Sequence, residues 1–204
     1  IAWQSCFAGW MRSMGKLSGK KLIAIDGKTL RGSKASGTGK REEEQAALEL
    51  VTAWASENEL VLAQLAVKDG SNEITILPEL LELFDLEGAT VTLDAMGTQC
   101  DIAEQIIEQG GDYLLTLKAN HGKIYDEASW LFSYTLEQQV PMPYADSFDI
   151  KHGRQETRQC WLLNDFSYLQ TTDCNFTAWK NLLAIVVIES TTLRQGKEQK
   201  DRRF

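Results

Sequence analysis

The chain has 204 residues, 43% of them apolar and 25% charged, with a net charge of −8. This is ordinary for a soluble globular protein and enough for one sizeable domain, or for one domain with an appendage. No apolar run reaches the ~20 residues of a bilayer-spanning helix, and the net acidity argues against a simple cationic nucleic-acid binder. Four cysteines without a CxxC pair, beside two histidines, leave little for a zinc cage and read as free thiols of a reducing cytoplasm. The charge is unevenly spread. Residues 1–41 hold nine Lys or Arg and one acid, a net of +8, whereas residues 42–110 hold sixteen acids and one lysine, a net of −15. Such asymmetry points to a polyanion-facing segment on an acidic body, or to a solvated basic linker.

The start has neither an initiator Met nor the basic and apolar regions of a signal peptide, so a fragment of a longer protein is expected. Trp3, Phe7, Trp10 and Met11 recur at helical spacing over residues 3–14. Residues 22–25 form an apolar run that reaches Asp26 and then Gly27, Lys28, Arg31 and Lys34. The Gly/Ser-rich residues 32–40 predict a loop; the Gly-Lys-Arg run there lacks the glycine and hydroxyl spacing of a P-loop. Residues 48–54 and 60–67 predict a hairpin across a polar turn. Ile76, Leu77, Leu80, Leu81 and Phe84 share a helix face, with Asn72 as its cap, although Pro78 belongs in a first turn. Residues 89–93 predict a strand reaching Asp94, and residues 98–109 a helix stopped by Gly110 and Gly111. A fifth strand over 113–117 leads into Lys118, Asn120, His121 and Lys123, and residues 123–138 predict a helix. After Pro143 the pattern turns to strands, over 148–151, 156–163 and 182–190. Trp130 and Trp161 read as core. The fold class is α/β: a mixed sheet flanked by helices, with a β-rich appendage. The expected division is a helical lead-in over 1–20, a core over 21–140 and the β-rich segment over 141–204.

Two strands thus end on an aspartate, Asp26 with Gly27 directly after it and Asp94 with Gly97 shortly beyond. In open α/β sheets, chemistry gathers beyond the carboxyl ends of the strands. If these strands are neighbours, the carboxylates repel unless a cation lies between them. Their hard oxygens suit Mg²⁺ or Mn²⁺, which uses one or two carboxylates, waters and a substrate phosphate. The cations after Asp26 would then hold a phosphate backbone. The plainer reading of each aspartate alone is a turn former or a helix cap.

AIDGKTLRGS, LVTAWASEN, SNEITILPELLELFDLEGATVTLDAMGTQ, GGDYLLTLKANHGKIYDE and HGRQETR together resemble the ISAs1 family of insertion-sequence transposases, also called H-repeat-associated proteins. The resemblance runs in unbroken order over residues 22 to about 160. It implies a DDE transposase with an RNase H-like core, a β-rich insertion and metal-dependent DNA cleavage and strand transfer. It implies DNA as partner, at the element's ends and at the target, and a homo-oligomer in the active complex, with no membrane partner, in a bacterial cytoplasm and associated with the nucleoid. Asp26 and Asp94 match the family's first two acids, as catalytic and metal-binding residues. The family's final glutamate, in a helix of the form HWxIEN, has no counterpart here. The chain is therefore expected to be an incomplete catalytic fragment, inactive alone. Glu156, between Arg154 and Arg158, is the in-chain candidate for a third acid; a structural charge cluster is the favoured reading. Where many relatives have a histidine, this chain has Glu49. Lys28, Arg31, Lys34, Lys118, Asn120, His121, Lys123 and Arg154 are the expected DNA contacts, with His152 a further candidate. The alternative is a non-catalytic DNA-binding or oligomerisation remnant, or a nuclease on the same core.

Overall fold

The computed structural model describes residues 6, 21–30, 48–57, 59–67, 71–151, 153–167, 175–194 and 196–204. Apart from Cys6, the amphipathic stretch 3–14 lies outside the described residues, as do Arg31, Lys34, the loop 32–40 and His152. The chain divides into two compact units, Ile1–Leu115 and Thr116–Phe204.

The first unit carries a five-stranded mixed sheet in the order β3-β2-β1-β4-β5. Its strands are β1 (Lys21–Thr29), β2 (Glu49–Ala55), β3 (Leu60–Ala66), β4 (Ala89–Leu93) and β5 (Asp112–Leu115), with α1 (Glu73–Leu81) before β4 and α2 (Cys100–Glu108) after it. The β2–β3 hairpin is antiparallel, as is the β1–β2 pair, while β1, β4 and β5 run parallel. Side chains alternate in β4, where Ala89, Val91 and Leu93 are buried and Thr90 and Thr92 less so. In β3 it breaks, because Leu62 and Ala63 are both buried. The register shift opposite Ala53 and Trp54 explains this: a bulge leaves one extra residue unpaired and resets which side chains face inward.

Helix α1 starts where Asn72 accepts a hydrogen bond from the Thr75 N–H at 3.3 Å. Pro78 lies inside the helix rather than in its first turn; its missing N–H deletes a single bond. Ile76, Leu77, Leu80 and Leu81 of α1 join Ile102 and Ile106 of α2 over the sheet face that presents Ile23, Ile25, Val51, Val91 and Leu93. Fully burying each such side chain contributes about 1.5–3 kcal/mol. Leu22, Trp54 and Leu114 are exposed and belong by alternation to the opposite face.

The second unit has a 3₁₀ turn (Ala119–His121), α3 (Lys123–Glu137) and the antiparallel strands β6 (Tyr144–Lys151), β7 (Arg154–Leu163), β8 (Ile185–Arg194) and β9 (Lys197–Arg203), paired in that order. Ile124, Ala128, Leu131 and Phe132 of α3 pack with Leu163, Ile185, Val187 and Phe204. The Leu117 N–H donates to the Phe204 carbonyl at 2.8 Å. Trp161 packs as expected, 5.2 Å from the Phe132 ring and 5.4 Å from the Tyr144 ring. Trp130 does not belong to the core. It falls off the buried stripe of α3, is 49% exposed and stacks on Tyr134. The helix is followed by Gln139 at φ 54°, a left-handed conformation usually given to glycine. Among the described residues, no helix is long and apolar enough to cross a membrane.

Candidate carboxylate site

The parallel register of β1 and β4 ends at Ile25 opposite Leu93. The next residues are Asp26 and Asp94, at the carboxyl ends of two adjacent strands about 4.8 Å apart. Alternation turns both away from the face of Ile25 and Leu93 that the helices cover. Asp26 is not the last residue of its strand, as the apolar run predicts. Strand β1 continues through Thr29 because β2 still pairs with it, Asp26 opposite Thr52 and Thr29 opposite Glu49. Both aspartates are exposed.

Asp94 is anchored. Its Oδ1 accepts from the Met96 N–H at 2.9 Å and the Gly97 N–H at 3.4 Å, and its carbonyl accepts from the buried Thr98 hydroxyl at 3.0 Å. Oδ2 has no such partner among the described residues. The tight turn after Asp94 needs Gly97, which is buried; a Cβ there would meet Leu93 and Leu77 side-chain atoms at 3.0 and 3.1 Å.

Two further acids occupy the same end of the sheet. Glu49 opens β2, and Glu73 opens α1. The Glu73 carboxyl rests on Gly27, in the volume that a Cβ would fill. Gly27 shares the face of Ile23 and Ile25 by alternation, so Glu73 and Glu49 approach from the helix side, and Asp26 and Asp94 from the other. Burial raises the Glu73 pKa to about 7, helped by a hydrogen bond and charge repulsion from Glu49, then by the charges of Asp94 and Asp26. Below that pH, Glu73 is a neutral acid hydrogen-bonded to Glu49. Among the described residues, no Lys or Arg forms a salt bridge with any of these four acids. Nor do three His, Cys, Asp or Glu side chains form a ready-made metal cage there. What remains is an open pair of hard oxygen donors, which fits an ion that keeps waters and takes a substrate phosphate.

The sequence singles out Asp26, Asp94 and the oddity of Glu49, but gives Glu73 no role. The available signal was an acid placed just after a helix cap and a glycine beside the first aspartate. Lys28 is exposed and stands two residues along from Asp26, on its face by alternation. Lys118, Asn120, His121 and Lys123 belong to the second unit. Lys118, Asn120 and Lys123 are exposed, and the Lys118 N–H donates to His121 Nδ1 at 3.0 Å. Arg154 pairs with Glu156 at 2.6 Å, and Arg158 with the same carboxylate at 2.7 Å. Glu156 is thus held in the structural cluster that its neighbours predict.

The family described as transposase DDE domain matches residues 17–192. An uncharacterized protein in the dhlA 3′ region of Xanthobacter autotrophicus is 37% identical over 205 residues, covering 99% of this chain and 65% of that one. "Putative transposase YncI" of Escherichia coli O157:H7 is 38% identical over 98% of this chain and 49% of its own length. "H repeat-associated putative transposase YhhI" of Escherichia coli K12 is 38% identical over 95% of this chain and 50% of its own. The chain therefore spans about half to two thirds of these relatives. The piggyBac transposase synaptic complex with hairpin DNA aligns over 67% of this chain and 30% of that one, at 12% identity and a TM-score of 0.36, too low to bear on the fold.

Proposed function

Because the chain belongs to the transposase DDE domain family, we propose that it is part of an ISAs1-type transposase that cuts and rejoins DNA at insertion-sequence ends. The observation that carries this reading is the β1–β4 register, which makes Asp26 and Asp94 neighbours at one rim of the sheet. The strand, hairpin, helix, strand, helix, strand order supports an RNase H-like core. In this reading the core runs over 21–140, preceded by a lead-in over 1–20 and followed by a β-rich insertion over 141–204; the packing units divide earlier, after Leu115.

Asp26 and Asp94 are the residues that would hold Mg²⁺ or Mn²⁺. A divalent ion bound there supplies charge neutralisation and orientation at the phosphodiester under attack. The chain's own part is positional. Strand β1 fixes Asp26, and the Asp94 turn spends Oδ1 on backbone N–H groups while leaving Oδ2 available. Lys28 offers a phosphate contact on the same face, and Arg31, Lys34, Lys118, Asn120, His121, Lys123 and Arg154 extend the proposed DNA contacts. Phosphoryl transfer depends mainly on positioning and charge, so no covalent protein intermediate is required.

In the protein at its full encoded length, Asp26→Asn and Asp94→Asn should each abolish Mg²⁺-dependent strand cleavage and joining. Calorimetry on the present chain should show Mn²⁺ affinity falling at least ~10-fold in either variant. Retained cleavage in both variants would refute the assignment. The pairing of Glu156 with two arginines favours a second reading for the chain by itself: a non-catalytic DNA-binding or oligomerisation part. That reading predicts salt-sensitive DNA binding with no dependence on divalent ions.

A further inference from the structure

The cross-strand registers of the second sheet align four cations in one row. Lys151 stands opposite Arg154, Arg154 opposite Arg194, and Arg194 opposite Lys197. All four are exposed. The row crosses the whole sheet at the end where its two outer hairpins turn, through Gly153 and Gly196, both at positive φ. With strands about 4.8 Å apart it is roughly 14 Å long.

Like charges placed directly opposite one another destabilise a sheet, so this row costs the fold something. The next row on the same face is Asp149, Glu156, Thr192 and Gln199. Its two acids reach Lys151 at 2.8 Å and Arg154 at 2.6 Å. Among the described residues, no acid pairs with Arg194 or Lys197. The other β9 cations are used inside the unit. Lys200 pairs with Glu198, Arg202 with Glu189 and Arg203 with Asp201. Arg194 and Lys197 are thus cations whose position strains the sheet and whose charge the sheet does not neutralise.

We propose that this row is a docking edge for the phosphate backbone of duplex DNA, with Arg194 and Lys197 as its open contacts and the exposed Lys151 and Arg154 able to exchange their acid partners for phosphate. The choice of DNA as partner rests on the transposase reading above. The Lys151–Asp149 pair is exposed on both sides and contributes at most about 1 kcal/mol, so Lys151 exchanges easily, and Glu156 keeps Arg158 as its partner when Arg154 turns to phosphate. The row is about as long as the ~12 Å major groove is wide, which lets its two ends meet the phosphates on either side. Such contacts position a duplex without reading its sequence.

The test titrates the 204-residue chain into a fluorescent duplex of arbitrary sequence in EDTA, across about 50 to 200 mM salt. Arg194→Gln with Lys197→Gln should weaken binding roughly 10-fold at low salt and make the salt slope shallower by about 2. The charge-keeping pair Arg194→Lys with Lys197→Arg should restore both. Unfolding midpoints should not fall, because removing opposed like charges relieves the sheet. An unchanged slope in the glutamine variant, with binding weakened instead by Lys28→Gln, would overturn the row and leave the transposase reading standing. No duplex binding by any form would overturn both. Phe148, Ile150 and Leu193 are exposed near the same tip. If the glutamine variant loses only its affinity for phosphatidylserine vesicles, the edge addresses a lipid surface and the proposal fails. A slope change with Mn²⁺ affinity unaltered in Asp26→Asn and Asp94→Asn would keep the row and remove the metal reading.

Discussion

Gly27 is the residue on which the carboxylate site turns. Its backbone needs no special conformation; the constraint is the Glu73 carboxyl lying where a side chain would begin. Gly27→Ala should therefore lower stability by about 1–3 kcal/mol in urea unfolding, and Glu73→Ala in the same chain should recover most of that loss, a non-additivity expected of residues in contact. Glu73 also makes stability depend on pH. Its pKa is about 7 in the fold against an ordinary 4.5, so between those values the folded chain holds a proton that the unfolded chain has lost. Stability should fall as pH rises from about 4.5 through about 7 and then level off. Glu73→Gln, neutral throughout, should flatten that part of the profile in thermal melts at pH 5, 6, 7 and 8. An unaltered profile would place the proton elsewhere.

At the scale of elements, Asn72 matters because it caps the helix that carries Glu73. Asn72→Ala should cost about 1 kcal/mol and should weaken Mn²⁺ binding if the first turn of α1 helps to shape the rim, as calorimetry would report. The strands of the first sheet were legible because burial on one face imposes an apolar period, and the hairpin because a polar turn separates two such runs. Asp26 and Asp94 were legible for the same reason, as charges interrupting apolar runs. The bulge in β3 was not, since two adjacent apolar residues look like a continuation. Strand β9 was also missed. Its sequence, KEQKDRR, is exposed throughout and becomes a strand only because β8 lies beside it. The basic row exists only in the register of four strands, and no single segment displays it.

Over the whole molecule, the charge pattern separates a basic segment from an acidic one but carries no sign of the division after Leu115. The apolar stripe of α3 is visible in the sequence; which sheet it packs against is decided by long-range contacts. Asp26 and Asp94 were expected to converge on the strength of two similar strand endings, and the parallel register is what brings them level. The left-handed Gln139 just beyond α3 has a practical corollary. A non-glycine residue in the left-handed region carries about 1–2 kcal/mol of strain, and Gln139→Gly should raise the melting temperature by a few degrees once the entropy of the added glycine is deducted. A preparation hardened in this way, far in sequence from the acids, would tolerate the long incubations with metal and DNA that the functional assays demand.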